Sequence, residues 1–298
     1  AELYSFSEAE QAENAGLEED CRRLLRLCFL GGPARVLLYL YPKGEEAAAL
    51  ARCAPAAEGG WLCAPQMDAQ TVTAFVKSKR AEGRPLRAVV SSETGPDCAG
   101  IVNLTTQGIT VLLEGKTETV DTADYCARIA GILAGLSLRE SATYYSLPEV
   151  TGFVRSEDEE ADIAAGRLIL DQGSEGARIA RAVTSLITLS QPGDSAFQKI
   201  KIAEGVDLIR ADIRGVFESE YVGKVLNDYD SKLLLVTAIN SYFAGLEGSV
   251  LDTGRRNTAS VDFEAQKRWL EGRGVDTAAL SDTAILSANT GSQVFLRA

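Results

Sequence analysis

The chain has 298 residues, 46% of them hydrophobic, with 30 Lys and Arg against 42 Asp and Glu for a formal net charge of −12. That length suits about two domains of ordinary size, each with a packed core. The acidic balance excludes a general nucleic-acid or anionic-membrane binder, because phosphate binding needs a basic field.

The longest uncharged apolar run, 233–246, falls short of the ~20 residues a membrane span needs and contains Thr237, Asn240 and Ser241. The sequence therefore reads as soluble, with no nucleic acid and no membrane among its partners. There is no histidine, which removes Ser-His and Cys-His nucleophile arrangements and the commonest general base near neutral pH. Six cysteines, at 21, 28, 53, 63, 98 and 126, include no C-x-x-C pair and so form no zinc pattern. Reduced buried thiols are the leading reading and disulfides the other. The acidic N-terminus lacks the basic-then-apolar pattern of a secretory leader, so no export by signal peptide is expected.

Residues 1–20 hold seven acidic residues and no Lys or Arg, with Ser7 and Glu10 spaced as a capping box. The spacing Leu17, Cys21, Leu24, Cys28 predicts a helix, stopped by Gly31-Gly32-Pro33. The continuous apolar run 35–41 predicts a strand covered on both faces. A short Ala-rich helix over 45–52 and a strand over 61–64 follow. Asp68 then caps a helix through Val72, Phe75, Val76 and Lys79, and 86–92 is a third strand. This alternation predicts an α/β layer, a mixed but largely parallel sheet flanked by helices. Two more strands, 101–104 and 109–113, precede a helix from Asp121 with Cys126, Ile129, Leu133 and Leu136 on its inner face. Residues 143–147 close this half, and 148–151 mark the boundary, giving domains 1–148 and 149–298.

The second half reads as α+β. Gly173-Ser174-Glu175-Gly176 is a turn between strands 167–170 and 177–189, the latter with Ile179, Val183, Ile187 and Leu189 on one face. Past the turn Gln191-Pro192-Gly193-Asp194, Ile202, Val206, Ile209, Ile213 and Phe217 form one helical face. Leu235, Ile239, Tyr242 and Leu246 form another, capped by Asp230 or Ser231. A strand over 258–263, a helix over 264–271 and a last strand over 292–296, with Gln293, Val294 and Phe295, complete the chain.

The chemistry is sparse. Gly115-Lys116-Thr117 lacks the earlier glycine of a phosphate loop, since that position is Thr110, and reads as a turn. The run from Glu157 to Glu160 reads as a solvated loop. Asp228 and Asp230 lack the glycine and distal glutamate of a calcium loop. No catalytic, cofactor-binding or metal-ligating residue is assigned, and no cofactor is expected. Lys267, Arg268 and Arg273 cluster around Trp269, either as a solvated helix face or as a docking patch for an acidic partner.

Four phrases carry a family resemblance: FVKSKR, PDCAGIVNLT, DYCARIAGILAGLSLRESATYYSLPEV, and KIKIAEGVDLIRADIRGVFESEYVGK followed by Asn227-Asp228-Tyr229-Asp230 and a Leu-rich helix. In order and context they resemble contractile phage tail sheath proteins, nearest those of defective-prophage, phage-tail-like particles of the PBSX kind, across most of the chain. The resemblance implies a structural subunit without enzymatic activity that stacks into a helical sheath around an inner tail tube and contracts to drive that tube through a target envelope. It implies neighbouring sheath subunits, the tube protein, and baseplate and tail terminator components as partners. It places assembly in the bacterial host cytoplasm, and the product in a virion or tail-like particle. Lys267, Arg268 and Arg273 become tube-docking candidates. Ile179, Val183, Ile187, Gln293, Val294 and Phe295 become candidates for the strands that receive neighbours' extended arms. Nothing resembling such an arm precedes Ala1 and the sequence stops just after SQVFL; if the arms are missing, the expectation is a monomeric or weakly associating chain, and no larger inserted outer domain is expected. The competing readings are a small-molecule enzyme on the first half, with ligands at the carboxyl ends of the strands, and another tail or baseplate component.

Overall fold

The acidic start of the chain is a strand. β1 (Glu2–Phe6) is followed by α1 (Ala9–Glu13), α2 (Glu19–Phe29) and β2 (Val36–Leu40), and β1 pairs antiparallel with β2, Glu2 opposite Leu40 and Phe6 opposite Val36. The computed structural model describes residues 2–298. β2 is thus half of a two-stranded ribbon rather than a doubly covered strand. Val36, Leu38 and Leu40 pack on Phe6, Ala12, Leu17 and Leu25 beneath α2, while Leu37 and Tyr39, equally apolar, hide the alternation of a one-sided strand. At the start of α1 the Ser7 N–H and Oγ donate to Gln11 Oε1 at 3.0 and 3.3 Å, so Gln11 takes the place expected of Glu10.

Two compact units make up the chain, Ala1–Ala211 and Asp212–Ala298. The first continues with α3 (Glu46–Ala57), β3 (Leu62–Cys63), α4 (Ala69–Ala81), β4 (Ala88–Val90), β5 (Ile101–Leu104), β6 (Ile109–Leu113), β7 (Lys116–Val120), α5 (Thr122–Gly135), β8 (Val150–Gly152), α6 (Glu159–Ala164), β9 (Arg167–Leu168), β10 (Leu170–Gly173) and β11 (Gly176–Ile179), and α7 (Ile200–Val216) begins in it. A parallel layer is present in the order β3-β4-β5-β9, all neighbours parallel, without the expected strand 35–41 and with β9 from the half expected as α+β. Asp68 caps α4, its carboxylate accepting the Thr71 N–H at 2.9 Å. A second sheet, β7-β6-β8, is antiparallel. The β6–β7 turn has Glu114 and Gly115 at φ 49° and 78°, the left-handed pair that a two-residue hairpin loop requires, which makes Gly115-Lys116-Thr117 turn and strand.

Residues 148–151, expected to divide the chain, lie inside this first unit, where Val150 of β8 pairs with Val111 of β6. Helix α5 is buried on nearly every side and anchors the main core, where Tyr125, Ile129 and Ile132 meet Leu104, Ile109, Leu168 and Ile179. Its close partner is the end of α2. A Cβ on Gly131 would sit 2.0 Å from the Cys28 carbonyl oxygen, and one on Gly135 2.1 Å from that of Gly31, so the backbones touch where these glycines lie.

The strand expected over 177–189 stops at Ile179. Beyond it the chain forms no further strand before α7 among the described residues; the Ile187 and Thr188 N–H groups donate to Asp97 Oδ1 at 2.8 and 2.9 Å, and Ser185 N–H to the Ile101 carbonyl at 2.7 Å. Residues 143–147, expected to close the first half, form a loop against β11.

The second unit contains α8 (Tyr229–Leu246), β12 (Ser260–Val261), α9 (Phe263–Glu271), α10 (Asp282–Ser287) and β13 (Leu296–Arg297). The cap of α8 is Asp228, accepting the Ser231 N–H at 2.8 Å. Asp230 and Ser231 are already within the helix, because Asp228 is the residue with extended backbone and a short acceptor. The buried face of α8 is Lys232, Leu235, Ile239 and Phe243, so Phe243 takes the position that the spacing gave to Tyr242. The last strand has a partner within the chain, since β13 pairs antiparallel with β12, Leu296 opposite Val261.

Candidate assembly surfaces

The first surface predicted from sequence, the strand carrying Ile179, Val183 and Ile187, does not exist as an open edge. Ile179 is fully buried and pairs with Leu170 on one side. On the other, its N–H donates to the Tyr145 carbonyl at 3.0 Å and its carbonyl accepts the Tyr144 N–H at 2.8 Å. Both backbone groups are therefore taken within the chain, and Ile179 belongs to the core. Val183 is buried and bridges only to Lys199. Ile187 is the exposed member of the three.

The other two predicted sets are linked through Trp269, and the last strand is Leu296–Arg297 rather than 292–296, so Gln293, Val294 and Phe295 precede it. On α9, capped by Asp262 through the Ala265 N–H at 2.9 Å, Trp269 receives the Arg273 guanidinium 4.0 Å from its ring centroid and the Phe295 ring at 6.3 Å. Arg273 is thereby occupied by the indole face. Lys267 is half-buried and Arg268 exposed. Phe295 also holds β12, its carbonyl accepting the Asp262 N–H at 2.9 Å. Gln293 is exposed and Val294 half-buried. Periodicity gave no sign that α9 and the chain end share one aromatic contact 26 positions apart.

Asn227, to which the sequence assigned no contact, acts as a bolt. Its Nδ2 donates to Thr290 Oγ1 at 3.1 Å and to the carbonyls of Gly291 and Gln293 at 2.7 and 2.9 Å. Beneath it Lys232 Nζ donates to Gln266 Oε1 at 3.2 Å and to the Ala288 carbonyl at 3.0 Å, and burial lowers the pKa of this ammonium group. A lysine on the apolar stripe of α8 is the sequence signal that could have pointed here.

In the first unit, buried ion pairs fix α7 onto the parallel layer. Arg80 grips Asp207 through two bonds of 2.7 and 2.9 Å. Arg87 reaches Glu204 at 2.8 Å, and Trp61 Nε1 donates to the same carboxylate at 3.2 Å. Burial raises Glu204 above the ordinary carboxylate range, against the pull of Arg87. Arg128 Nε and the Tyr125 hydroxyl both donate to Glu149 Oε1, at 2.6 and 2.8 Å. The acid run is a helix start, with Asp158 accepting the Ala161 N–H at 3.0 Å.

At the carboxyl ends of β3 and β4 lies a cleft of about 20 Å³ lined by Cys63, Pro65, Met67, Ser91 and Cys126 among others, room for roughly one water molecule. Burial pushes the Cys28 thiol up to about 11 and raises those of Cys63 and Cys126 as well. All six cysteines are unpaired thiols. Among the described residues no cluster of three or more acidic or thiol side chains is arranged to hold a metal, and no helix is long and apolar enough to cross a membrane.

No family model matches the chain. The tail sheath protein of Clostridium phage phiCD119 is 28% identical over 307 residues, an alignment spanning 98% of this chain and 84% of the relative. The fold is shared with a sheath tail protein from Desulfitobacterium hafniense (TM-score 0.62, 19% identity, 76% of this chain), of which the chain spans 55%. It is also shared with the anti-feeding prophage helical sheath in its contracted state (TM-score 0.64, 16% identity, 87% of this chain and 77% of that one). The chain thus has the mixed sheets and helices of solved sheath proteins and is similar almost end to end to a tail sheath protein.

Proposed function

We propose that this chain is the structural subunit of a contractile tail sheath that polymerises around an inner tail tube and contracts to drive it through a target envelope, without enzymatic turnover. The observation that carries the reading is the alignment of a tail sheath protein along 98% of the chain. In the finer reading it serves a phage-tail-like particle of the PBSX kind, assembled in the bacterial cytoplasm and joined by baseplate and tail terminator components. Arms from neighbouring subunits add to the half 149–298. The β12–β13 ribbon supports that reading, because each strand of a two-stranded sheet keeps one unpaired edge. Exposed Arg268 and half-buried Lys267 face an acidic strip of the tube, with Arg273 supporting them from the Trp269 face.

Electron microscopy of the full chain expressed alone tests the central claim. Rings or tubes are expected, and persistent dispersal at high concentration refutes it. For the tube contact, Lys267→Glu with Arg268→Glu is expected to weaken co-sedimentation with purified tubes by about tenfold or more; unchanged binding removes the assignment.

A further inference from the structure

The approach to α8 exposes apolar side chains that the second unit leaves uncovered. Leu226 is 80% exposed, Leu234 66%, Val222 57% and Val225 43%. Their scaffold is held, not loose. Asn227 is tied to residues 290–293 by the three bonds described above, and Asp228 caps the helix. After Lys232 the helix carries no charge through Leu246, and its outward face reads Leu233, Leu234, Thr237, Ala238, Ser241 and Gly245. A helix that is apolar or small all round is normally covered. Exposed Glu220 precedes Val222 in the chain and exposed Asp230 lies between Leu226 and Leu234, and neither has an ion-pair partner among the described residues.

A complementary feature sits elsewhere in the same unit. Arg255 and Arg256 are adjacent, exposed and likewise without an ion-pair partner among the described residues. They occupy a turn fixed by Asn257, whose Nδ2 donates to Glu247 Oε1 and to the Asp252 and Arg255 carbonyls at 3.1, 2.9 and 3.3 Å. In a chain of net charge −12 two copies repel at a distance, so close approach needs a local cationic exception. Arginine stems also cover apolar surface while their heads reach acids at the rim.

We propose that the apolar approach to α8, with Glu220 and Asp230 at its edge, receives the turn bearing Arg255 and Arg256 of a second copy of this chain. The inference rests on the sheath reading and deepens it. Because donor and receiver are different patches, the contact is head-to-tail and leaves one of each free at the ends, which builds open helical assemblies rather than closed dimers.

Sedimentation velocity over a concentration series tests it, with circular dichroism confirming that each variant is folded. Leu226→Asp, and separately Arg255→Glu with Arg256→Glu, are each expected to weaken self-association at least about tenfold, ~1.4 kcal/mol. Mixed together, the two defective forms are expected to make a one-to-one complex and go no further, since one retains the turn and the other the receiver. Adding Glu220→Arg and Asp230→Arg to the arginine variant should restore assembly. If the unmodified chain assembles and folded variants assemble equally well, or the two defective forms fail to pair, this contact is overturned while the sheath reading stands. If the unmodified chain never self-associates, the sheath reading itself falls and the contact with it.

Discussion

Replacing Gly131 by alanine sets two physical effects against each other. Helix propensity alone favours alanine by ~1 kcal/mol at an interior helical position. The crossing of α2 and α5 opposes it, because the new Cβ would lie 2.0 Å from the Cys28 carbonyl oxygen and 2.7 Å from its carbon. Restoring ordinary contact requires the backbones to part by about 1.4 Å. The obstacle is main chain, so no side-chain rotation relieves it, and α2 carries fully buried Leu27 away from the core as it moves. Overpacking of this kind costs ~1–3 kcal/mol, and with rigid backbone on both sides the upper end applies. The expected net loss is ~2 kcal/mol after the propensity gain. Gly215→Ala in α7, where an added Cβ meets nothing within 4 Å, is the control and should gain up to ~1 kcal/mol. Urea unfolding monitored by circular dichroism and tryptophan fluorescence reads both. A Gly131→Ala midpoint at or above that of the parent would refute the close-crossing argument.

Three further outcomes follow from the same contacts. Asp207→Ala strands Arg80 beside a carboxylate-sized gap, and with Asp207 only 3% exposed the expected loss is ~3 kcal/mol by urea unfolding; a change under ~1 kcal/mol would show the pair to be dispensable. Asp97 is pushed up by desolvation, but bonds from the Thr188 side chain and the Thr188 and Ile187 N–H groups win and hold it below the usual carboxylate range. Its contribution is therefore complete above the unfolded value of ~3.9 and lost as pH falls through the lower folded value. Hydrogen-exchange protection at Ile187 and Thr188 should drop on acidification below that window and stay flat in Asp97→Asn. Thiol labelling of the native chain near pH 8 should modify Cys21 and Cys53 ahead of Cys28, which burial pushes to about 11, and of Cys63 and Cys126, which burial also raises; equal rates for all six would contradict that burial.

What was legible in the sequence depended on the reach of the signal. Asp68 before an apolar 3.6-residue period marked α4 because cap and face lie within one turn of each other. Gly173-Ser174-Glu175-Gly176 marked the β10–β11 hairpin because turn chemistry is local. The resemblance to sheath proteins was carried by long phrases, and an aligned relative along 98% of the chain agrees with it. Lys267, Arg268 and Arg273 were found by charge contrast, yet that contrast is blind to Phe295 meeting Trp269.

The sequence by itself marked the helices, the tight turns and the resemblance to sheath proteins, since each rests on spacing between near neighbours or on extended likeness; the apolar faces it gave α7 and α8 shifted, with Ile202 exposed and Ile200, Ala203 and Phe243 buried. Only the tertiary structure decided that Glu2–Phe6 pairs with β2, that β8 returns to β6 across the expected boundary, and that Ile179 has no free edge because Tyr144 and Tyr145 close it. It also decided that Gly31, Gly131 and Gly135 are crossing points rather than mere helix stops. Strand pairing and backbone contact join residues tens of positions apart, and no local period records which of several compatible edges wins that pairing.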